Sequence, residues 1–309
     1  MYRYIAKRLL MMLLVLVGIS FMIYFIMDMA PGDLAMSILG EGATEAEYNA
    51  LRAELRLDDP VIYRYARYMW NLIHGDLGYS YTYKMTVIEL YATRLPATIL
   101  LAFSSMIVGT VLSIPLGVYA ALRQGSLQDN AVSALAMFGI ASPNFWVGLM
   151  LIILFALHLG WFNSGGFESW KDLILPACTI GVDHMASMVR TTRSGMIDVL
   201  RQDYLMLARA KGVKERKVIT KHALKNALIP IVTIMGMQFS KSLGGSVVTE
   251  TVFSWPGVGR LVVNAIKAQD VEVVTGCIIV TSMLASCVIL VVDILYAYID
   301  PRIKAQYSK

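Results

Sequence analysis

Charged side chains are scarce in this 309-residue chain. Asp, Glu, Lys and Arg together make up 16% of the sequence, whereas 57% of it is hydrophobic. Soluble domains carry about 25% charged residues, so the composition argues against an ordinary soluble domain and favours an integral membrane protein. The formal net charge of +5 then reflects Lys and Arg on the cytoplasmic side of a membrane and does not indicate nucleic acid as a partner.

Cysteine, histidine and the motifs of catalysis are equally scarce. The three cysteines, Cys178, Cys277 and Cys287, lie in separate apolar stretches, which predicts small buried side chains and neither a disulfide nor a zinc site. The four histidines are scattered, and no H-E-x-x-H or C-x-x-C motif occurs. No G-x-x-x-x-G-K-[ST] loop occurs either, so this chain does not bind ATP phosphates itself. We therefore predict no catalytic residue, no metal site and no cofactor in this chain.

The dominant feature of the sequence is a series of long apolar runs. An apolar helix of about 20 residues crosses the roughly 30 Å hydrocarbon layer of a membrane, and six runs approach or exceed this length. We predict an all-α, polytopic membrane protein in which residues 1–309 form a single transmembrane domain. Pro143 predicts a kink in the third span. The six predicted spans cover residues 9–29, 97–122, 130–159, 173–197, 228–250 and 273–299.

Residues 31–95, between the first two spans, form the longest predicted soluble segment. The turn at residues 30–33, Ala-Pro-Gly-Asp, leads into it. Thr44 with Glu47 three residues later predicts the start of one helix. Residues 60–74 predict a second helix, whose tyrosines and Trp70 favour a position at the membrane interface.

The distribution of basic residues predicts the orientation. If both termini lie inside the cell, 17 of the 27 Lys and Arg residues fall on cytoplasmic segments and 10 fall elsewhere. Cytoplasmic loops carry an excess of Lys and Arg. We therefore expect both termini and residues 199–227 in the cytoplasm, and residues 31–95 outside.

Residues 203–230 form the longest strongly polar stretch between two apolar runs. Gly212 divides it into two runs of good helix formers, which predicts a helix, a glycine stop with positive φ, and a second helix. Such a basic segment fits either a protein partner or anionic lipid headgroups, and the spacing alone favours neither. The lysines that recur at helical spacing on one face of the second run are Lys214, Lys217, Lys221 and Lys225.

This stretch resembles the cytoplasmic coupling loop of ABC-importer permeases. Residues 208–212 read ARAKG and residues 222–227 read HALKNA, and both resemble the dipeptide/oligopeptide/nickel branch of that family. The general loop of such permeases reads Glu-Ala-Ala ahead of the glycine. Here Met206 and Leu207 stand in place of the first two residues, and Ala208 matches the third.

The resemblance extends along nearly the whole chain. Its most specific single match is ETVFSWPGVGR at residues 250–260, and HGDLG at residues 74–78 and RLPAT at residues 94–98 agree with it. It implies a permease subunit with the type I ABC importer fold and without enzymatic activity of its own, which moves substrate by alternating access.

The resemblance also implies partners, a location and site residues. The partners are a second homologous permease, two ATPase subunits that hold ATP and Mg, and an extracytoplasmic substrate-binding protein. The location is the plasma membrane of a bacterium or archaeon, and the substrate is a dipeptide or oligopeptide, with nickel or a metal chelate as the alternative. The implied ATPase-coupling residues are Asp203, Ala208, Arg209, Ala210, Lys211, Gly212, His222 and Asn226. The implied external-loop residues are Trp255, Pro256, Gly257 and Gly259.

Ionisable residues inside the predicted spans indicate a transport path. Asp183 and His184 lie in the fourth span and Lys241 lies in the fifth. Such residues mark substrate or ion pathways, yet they also pair between helices, and the sequence leaves both roles open, with the path favoured for Lys241. An ion-coupled secondary transporter is the alternative from another functional class, because it would use buried acids and broken helices.

Overall fold

The computed structural model describes residues 2–30, 34–40 and 42–299. Most of the predicted turn at residues 30–33 and the terminal residues 1 and 300–309 lie outside the described residues.

The predicted all-α class is confirmed, with about 80% helix. A short antiparallel hairpin of β1 (Tyr79–Ser80) and β2 (Met85–Thr86) is an addition that the sequence does not predict. The α-helices are α1 (Tyr2–Met29), α2 (Leu34–Leu39), α3 (Glu45–Glu54), α4 (Val61–Ile73), α5 (Val87–Leu122), α6 (Leu127–Ala141), α7 (Asn144–Leu151), α8 (Ile174–Leu200), α9 (Asp203–Ala210), α10 (Glu215–Lys217), α11 (Leu224–Gly245), α12 (Val247–Val252), α13 (Val258–Lys267) and α14 (Val271–Ile299). Shorter turns of π-helix at Ile152–His158 and Val218–Ala223 and of 3-10 helix at Trp170–Leu173 adjoin them.

The chain divides into two compact units. The first comprises the residues up to Thr98 together with Pro256–Ser286, and the second comprises Ile99–Trp255 together with the residues from Cys287 onward. The assignment of both units to one transmembrane domain stays a prediction.

In the first unit, two carboxylates fasten the hairpin to the start of α14. Asp270 is fully buried; it accepts a hydrogen bond from the Ser80 hydroxyl (2.6 Å) and another from the N–H of Val273 (3.3 Å), so it also caps α14. Glu272 accepts the N–H of Tyr79 (2.8 Å). Burial raises the pKa of the Asp270 carboxyl. These bonds fix the hairpin beside a packed apolar cluster of α5, α13 and α14 residues.

The two helices predicted in the external segment are present as α3 and α4. Thr44 and Glu47 form the predicted capping box, with the N–H of Thr44 donating to the Glu47 carboxylate (2.9 Å). On α4, Tyr68 is buried against Tyr24 of α1, with ring centroids 5.7 Å apart. Trp70 lies on the exposed side of α4, and its predicted position at the membrane interface stays a prediction.

In the second unit, glycines let neighbouring helices approach α8 closely. A Cβ atom on Gly109 of α5 would lie 2.6 Å from the Cβ of His184. A Cβ atom on Gly139 of α6 would lie 2.9 Å from the Cβ of Ala186. Both distances are shorter than carbon atoms tolerate, so these crossings require glycine, as small residues do at close helix–helix contacts in membranes.

The third predicted span is broken. α6 ends at Ala141 and α7 begins after Pro143, and the helix direction bends by 103° between the two pieces. Ser142 is extended, with ψ of 125°, because the residue before a proline avoids the helical region. Pro143 therefore breaks this segment, where the sequence predicts only a kink.

The predicted count of six spans stays a prediction. Among the described residues, three helices are long and apolar enough to cross a membrane, namely Leu10–Met29, Val87–Leu122 and Val271–Ile294. The count rises to as many as five if each of two bent helix pairs is taken as one span. The predicted fourth span, α8, is not among them, because acidic and basic side chains interrupt its apolar sequence.

We predict that Gly109→Ala destabilises the folded protein by about 1–3 kcal/mol, because the added methyl group overpacks the contact with α8. Gly18→Ala on α1 is the matched control, since a Cβ atom there meets nothing within 4 Å in the described chain. Thermal unfolding of the detergent-solubilised proteins measures the difference. Equal melting temperatures for the two variants would contradict the close crossing.

Candidate functional site

Gly212 ends the first helix of the coupling segment, defined here as residues 199–227. It adopts a φ of +75°. Its N–H donates to the carbonyl of Arg209 (2.9 Å), and the N–H of Val213 donates to that of Ala208 (3.2 Å), so the carbonyls at the end of α9 are satisfied. The predicted positive φ is confirmed. A side chain here is disfavoured by the backbone alone, because a Cβ atom would meet nothing within 4 Å in the described chain.

The coupling segment folds around a small apolar core. Leu205 of α9 clusters with Val218 and Ala223 of the second helical run and with Met196 near the end of α8, and none of the four is exposed. Ala208 packs at the edge of this core and is half-buried. Because α8 and the run that leads into α11 share the core, the segment is packed as one piece with both helices.

Two polar contacts also tie the segment together. The guanidinium of Arg209 donates to the Glu215 carboxylate from Nε (3.1 Å) and from Nη2 (2.8 Å), across the glycine turn. The amide of Asn226 donates to the Tyr204 hydroxyl (2.7 Å), which donates to the carbonyl of His222 (3.5 Å). Two of the predicted coupling residues, Arg209 and Asn226, thus act within the segment through their side chains, and His222 takes part through its backbone.

The outer surface of the coupling segment is basic with an apolar patch. All four lysines that the sequence places on one helix face are exposed. Met206 and Leu207 expose 62% and 56% of their surface. Exposed apolar side chains and exposed lysines in one short segment fit contact with a protein or with a membrane. The predicted coupling residues that are exposed are Asp203, Arg209, Ala210, Lys211, Gly212 and Asn226.

Lys241 and Asp183 form an ion pair between α11 and α8. The Lys241 ammonium lies 2.8 Å from Oδ2 of Asp183. The exposed fraction of the Lys241 side chain is 63% and that of Asp183 is 20%. The second unit therefore has an ion pair, Lys241 with Asp183, on an accessible surface.

His184 does not join this pair, although it follows Asp183 in the sequence. Successive helix residues point about 100° apart, and His184 is turned inward, with an exposed fraction of 1%. Its Nε2 lies 3.0 Å from the Ser242 hydroxyl. The three residues predicted for the transport path thus divide into an accessible charge pair and a buried histidine.

The aromatic residues of the predicted external loop at residues 250–260 are packed inside the second unit. The exposed fraction of Phe253 is 1% and that of Trp255 is 0%. The Trp255 ring lies 4.4 Å from the ring of Phe167, and the N–H of Gly166 donates to the carbonyl of Phe253 (2.8 Å). The Trp255 side chain therefore packs in the interior of the second unit and is not accessible to an outside partner.

The rest of the same motif belongs to the first unit. Gly257 is extended and precedes α13 as its N-cap residue, and Gly259 lies in the first turn of that helix; both are buried. Pro256 is half-buried. The prediction that these residues form an external contact stays a prediction, and their packing gives them a structural role.

The comparisons with known proteins assign a family. The model described as "Binding-protein-dependent transport system inner membrane component" matches residues 113–305, and the model of the N-terminal part of such membrane components matches residues 1–102. The chain belongs to this family. The permease is 40% identical to the oligopeptide transport system permease protein AppB of Bacillus subtilis, over 98% of this chain and 100% of AppB. It is 39% identical to the glutathione transport system permease protein GsiC of Escherichia coli K12, over 98% of this chain and 99% of GsiC.

A solved structure supports the fold of the permease. A chain of the MetNI methionine ABC transporter, in an inward-facing conformation, superposes with a TM-score of 0.59 at 17% identity, over 69% of this chain and 97% of that one. At that identity the likeness concerns the fold alone. The predicted ABC-importer permease fold is confirmed.

An ion pair that the sequence analysis missed joins α6 and α8 of the permease. The Arg193 guanidinium donates to both oxygens of Asp129, at 2.5 and 2.6 Å, and Asp129 is almost fully buried. Asp129 also accepts the N–H of Gly125 (2.9 Å). Ser126 caps α6 three residues before Asp129, a capping pattern in the sequence that could have identified the helix start. Nothing in the sequence names Arg193 as the partner.

We predict that Lys241→Met lowers transport and that adding Asp183→Asn restores part of it. The single change leaves the Asp183 carboxylate without its cation, whereas the double change removes both charges. Uptake by cells and the amount of assembled permease in the membrane give a double-mutant cycle, with an expected interaction of about 0.5–3 kcal/mol. The exposed Lys171→Met is the control for loss of a cation elsewhere. Strictly additive effects of the two changes would contradict a functional pair.

Proposed function

We propose that this permease imports peptides across the plasma membrane of a bacterium or archaeon. The observation that carries the proposal is the end-to-end identity of 39–40% to permeases of oligopeptide and glutathione transport systems. In this proposal an extracytoplasmic binding protein delivers the peptide to the outer face, and a second homologous permease completes the path. Both termini and the coupling segment lie in the cytoplasm.

ATP and Mg are held by two separate ATPase subunits in this proposal. The chain itself has no glycine-rich phosphate loop. Its exposed coupling surface combines Met206 and Leu207 with a set of lysines, which suits a protein groove with acidic rims. An amphipathic contact with lipid would use the same side chains, and the docking experiment below separates the two.

The coupling segment has the properties of a lever. Leu205, Met196 and Val218 share one core, so a force on α9 reaches α8 directly and α11 through the helical run that precedes it. In alternating access, the bound state of the ATPases favours one of two arrangements of the spans. A segment packed rigidly to two spans transmits that preference, whereas a loosely attached loop would absorb it.

The charge pair of Lys241 and Asp183 suits a peptide better than a metal ion in this path. A peptide with free termini carries one positive and one negative group. The accessible Lys241 ammonium would repel a bare nickel cation. We place the pair on the translocation path, and His184 behind it as a packing residue.

The direct test of the substrate is uptake by cells that lack their own peptide importers and express this permease with its partner subunits. We expect uptake of labelled trialanine that stops when ATP hydrolysis is blocked. Uptake of nickel but not of trialanine would replace the peptide proposal with its alternative. Uptake that follows an ion gradient without ATP would favour a secondary transporter.

A second prediction concerns the coupling segment. Gly212→Val forces a branched side chain into positive φ, and Ala210→Trp adds bulk at an exposed position. We expect both variants to insert in the membrane but to lose ATPase docking and peptide-stimulated ATP hydrolysis. Ala208 is a poorer probe, because a large side chain there would disrupt the segment's own core.

Gly125→Val is the matched control for backbone strain. Gly125 also adopts positive φ (+79°), and a Cβ atom there meets nothing within 4 Å in the described chain. Co-purification of the ATPases and the stimulated hydrolysis rate are measured for all three variants. If the Gly212 and Ala210 variants dock and respond as the wild type does, the segment faces lipid and the proposed coupling is wrong.

A further inference from the structure

A cavity in the first unit is lined by charges of both signs. Its volume is about 580 Å³, and pockets that bind small molecules occupy about 300–1,000 Å³. The ends of α1 and α3, the first turns of α4 and the start of α14 surround it. All of these elements belong to the first unit, whose segment 31–95 is predicted to lie outside the cell.

Two residues that line the cavity adopt a backbone conformation that normally calls for glycine. Arg56 has a φ of +52° and Gln269 a φ of +57°, and each directly follows the C-cap residue of a helix. After α3, the N–H of Leu57 donates to the carbonyl of Arg52 (3.1 Å), which closes the helix end around Arg56. A side chain in this region costs about 1 kcal/mol or more. Arg56 and Gln269 therefore keep polar side chains at the cavity at a cost in backbone strain.

Most charges around the cavity are neutralised in pairs, but three carboxylate or guanidinium groups remain available. Arg56 and Glu54 form no ion pair or side-chain hydrogen bond within the described residues. Glu272 accepts one N–H, from Tyr79 (2.8 Å). Among the described residues that line it, the cavity therefore offers one cation without an ion pair, Arg56, and two carboxylates without an ion pair, Glu54 and Glu272. The pairs are Arg52 with Asp58, Arg64 with Asp28, and Arg67 with Asp59.

The remaining wall of the cavity is apolar and aromatic, with Met27, Leu55, Val271 and Tyr24 among its side chains. Free charges of opposite sign beside an apolar wall are complementary to a zwitterion that carries hydrophobic groups. A purely anionic group would meet Glu54 and Glu272 without enough free cations to balance them. The lining thus favours a ligand with both an ammonium and a carboxylate.

We propose that this cavity binds a short peptide by its termini, with the α-carboxylate on Arg56 and the α-ammonium on Glu54 and Glu272. This inference rests on the proposed function, because it takes peptides as the transported substrate. Charge-assisted hydrogen bonds are the strong ones in such sites. The site would hold a peptide at the outer face before it enters the path.

The test uses Arg56→Gly, which removes the side chain and at the same time relieves the positive-φ strain. If Arg56 only ends α3, this variant is at least as stable as the wild type and binds peptide equally well. If it binds the carboxylate, affinity falls about tenfold or more, as for a lost charge-assisted hydrogen bond. The measurement is calorimetric titration of trialanine into the assembled transporter in phosphatidylcholine nanodiscs without the binding protein.

Lys84→Gly is the matched control. Lys84 is also a cation at positive φ (+53°) in the same unit, but it does not line the cavity. We expect this variant to bind trialanine as the wild type does, and trialanine with an acetylated amino end and an amidated carboxyl end to bind no variant. Melting temperatures of both variants report on the fold.

The outcomes separate this inference from the proposed function. Wild-type binding by Arg56→Gly, or equal binding of the blocked peptide, overturns the cavity site while peptide uptake by the wild type stands. Loss of binding on changing the nanodisc lipid to phosphatidylethanolamine would assign the cavity to a lipid headgroup and also overturn it. If the wild type imports no peptide at all, the proposed function itself is wrong, whatever the cavity binds.

Discussion

The second unit depends on the burial of a polar helix. α8 carries Asp183, Arg190, Arg193 and Asp198 within 27 residues, yet half of its side chains are buried. Charges among buried side chains are costly unless other groups pair with them, so such a helix needs neighbouring helices that supply those partners. The neighbouring helices must therefore approach α8 closely, and this requirement explains most of the contacts in the second unit.

Glycines and ion pairs together meet this constraint. Gly109, Gly117 and Gly139 remove the side chains that would keep α5 and α6 away from α8. Asp129 then neutralises Arg193 and Lys241 neutralises Asp183. The same helix ends at the core of the coupling segment, where Met196 packs against Leu205. One helix thus links the accessible charge pair to the surface that we assign to the ATPases, through continuous packing.

The sequence allowed prediction of the features that depend on local chemistry. The capping box of Thr44 and Glu47 and the positive φ of Gly212 both follow from residue types at fixed spacing, and both are present. Contacts between distant elements could not be predicted. Neither the partner of Lys241 nor the burial of Trp255 has a local signal, because both depend on which helices become neighbours. The sharp break at Pro143 was underestimated for a related reason: proline sets the place of a bend, but packing decides its angle.

A glycine in the sequence has two different structural meanings in this protein, and only the structure separates them. Gly109 has an ordinary helical backbone and needs the space of the missing side chain, since the nearest atoms belong to another helix. Gly212 has ample space and needs the freedom of its φ. Arg56 and Lys84 show that the second need can be overridden, because both hold a side chain at positive φ. At Gly109 no side chain can be kept, since its Cβ atom would overlap the Cβ atom of His184. Positions of close approach are therefore the stricter constraint on this fold, while positions of positive φ are the places where a side chain can be kept for a function at a modest cost in stability.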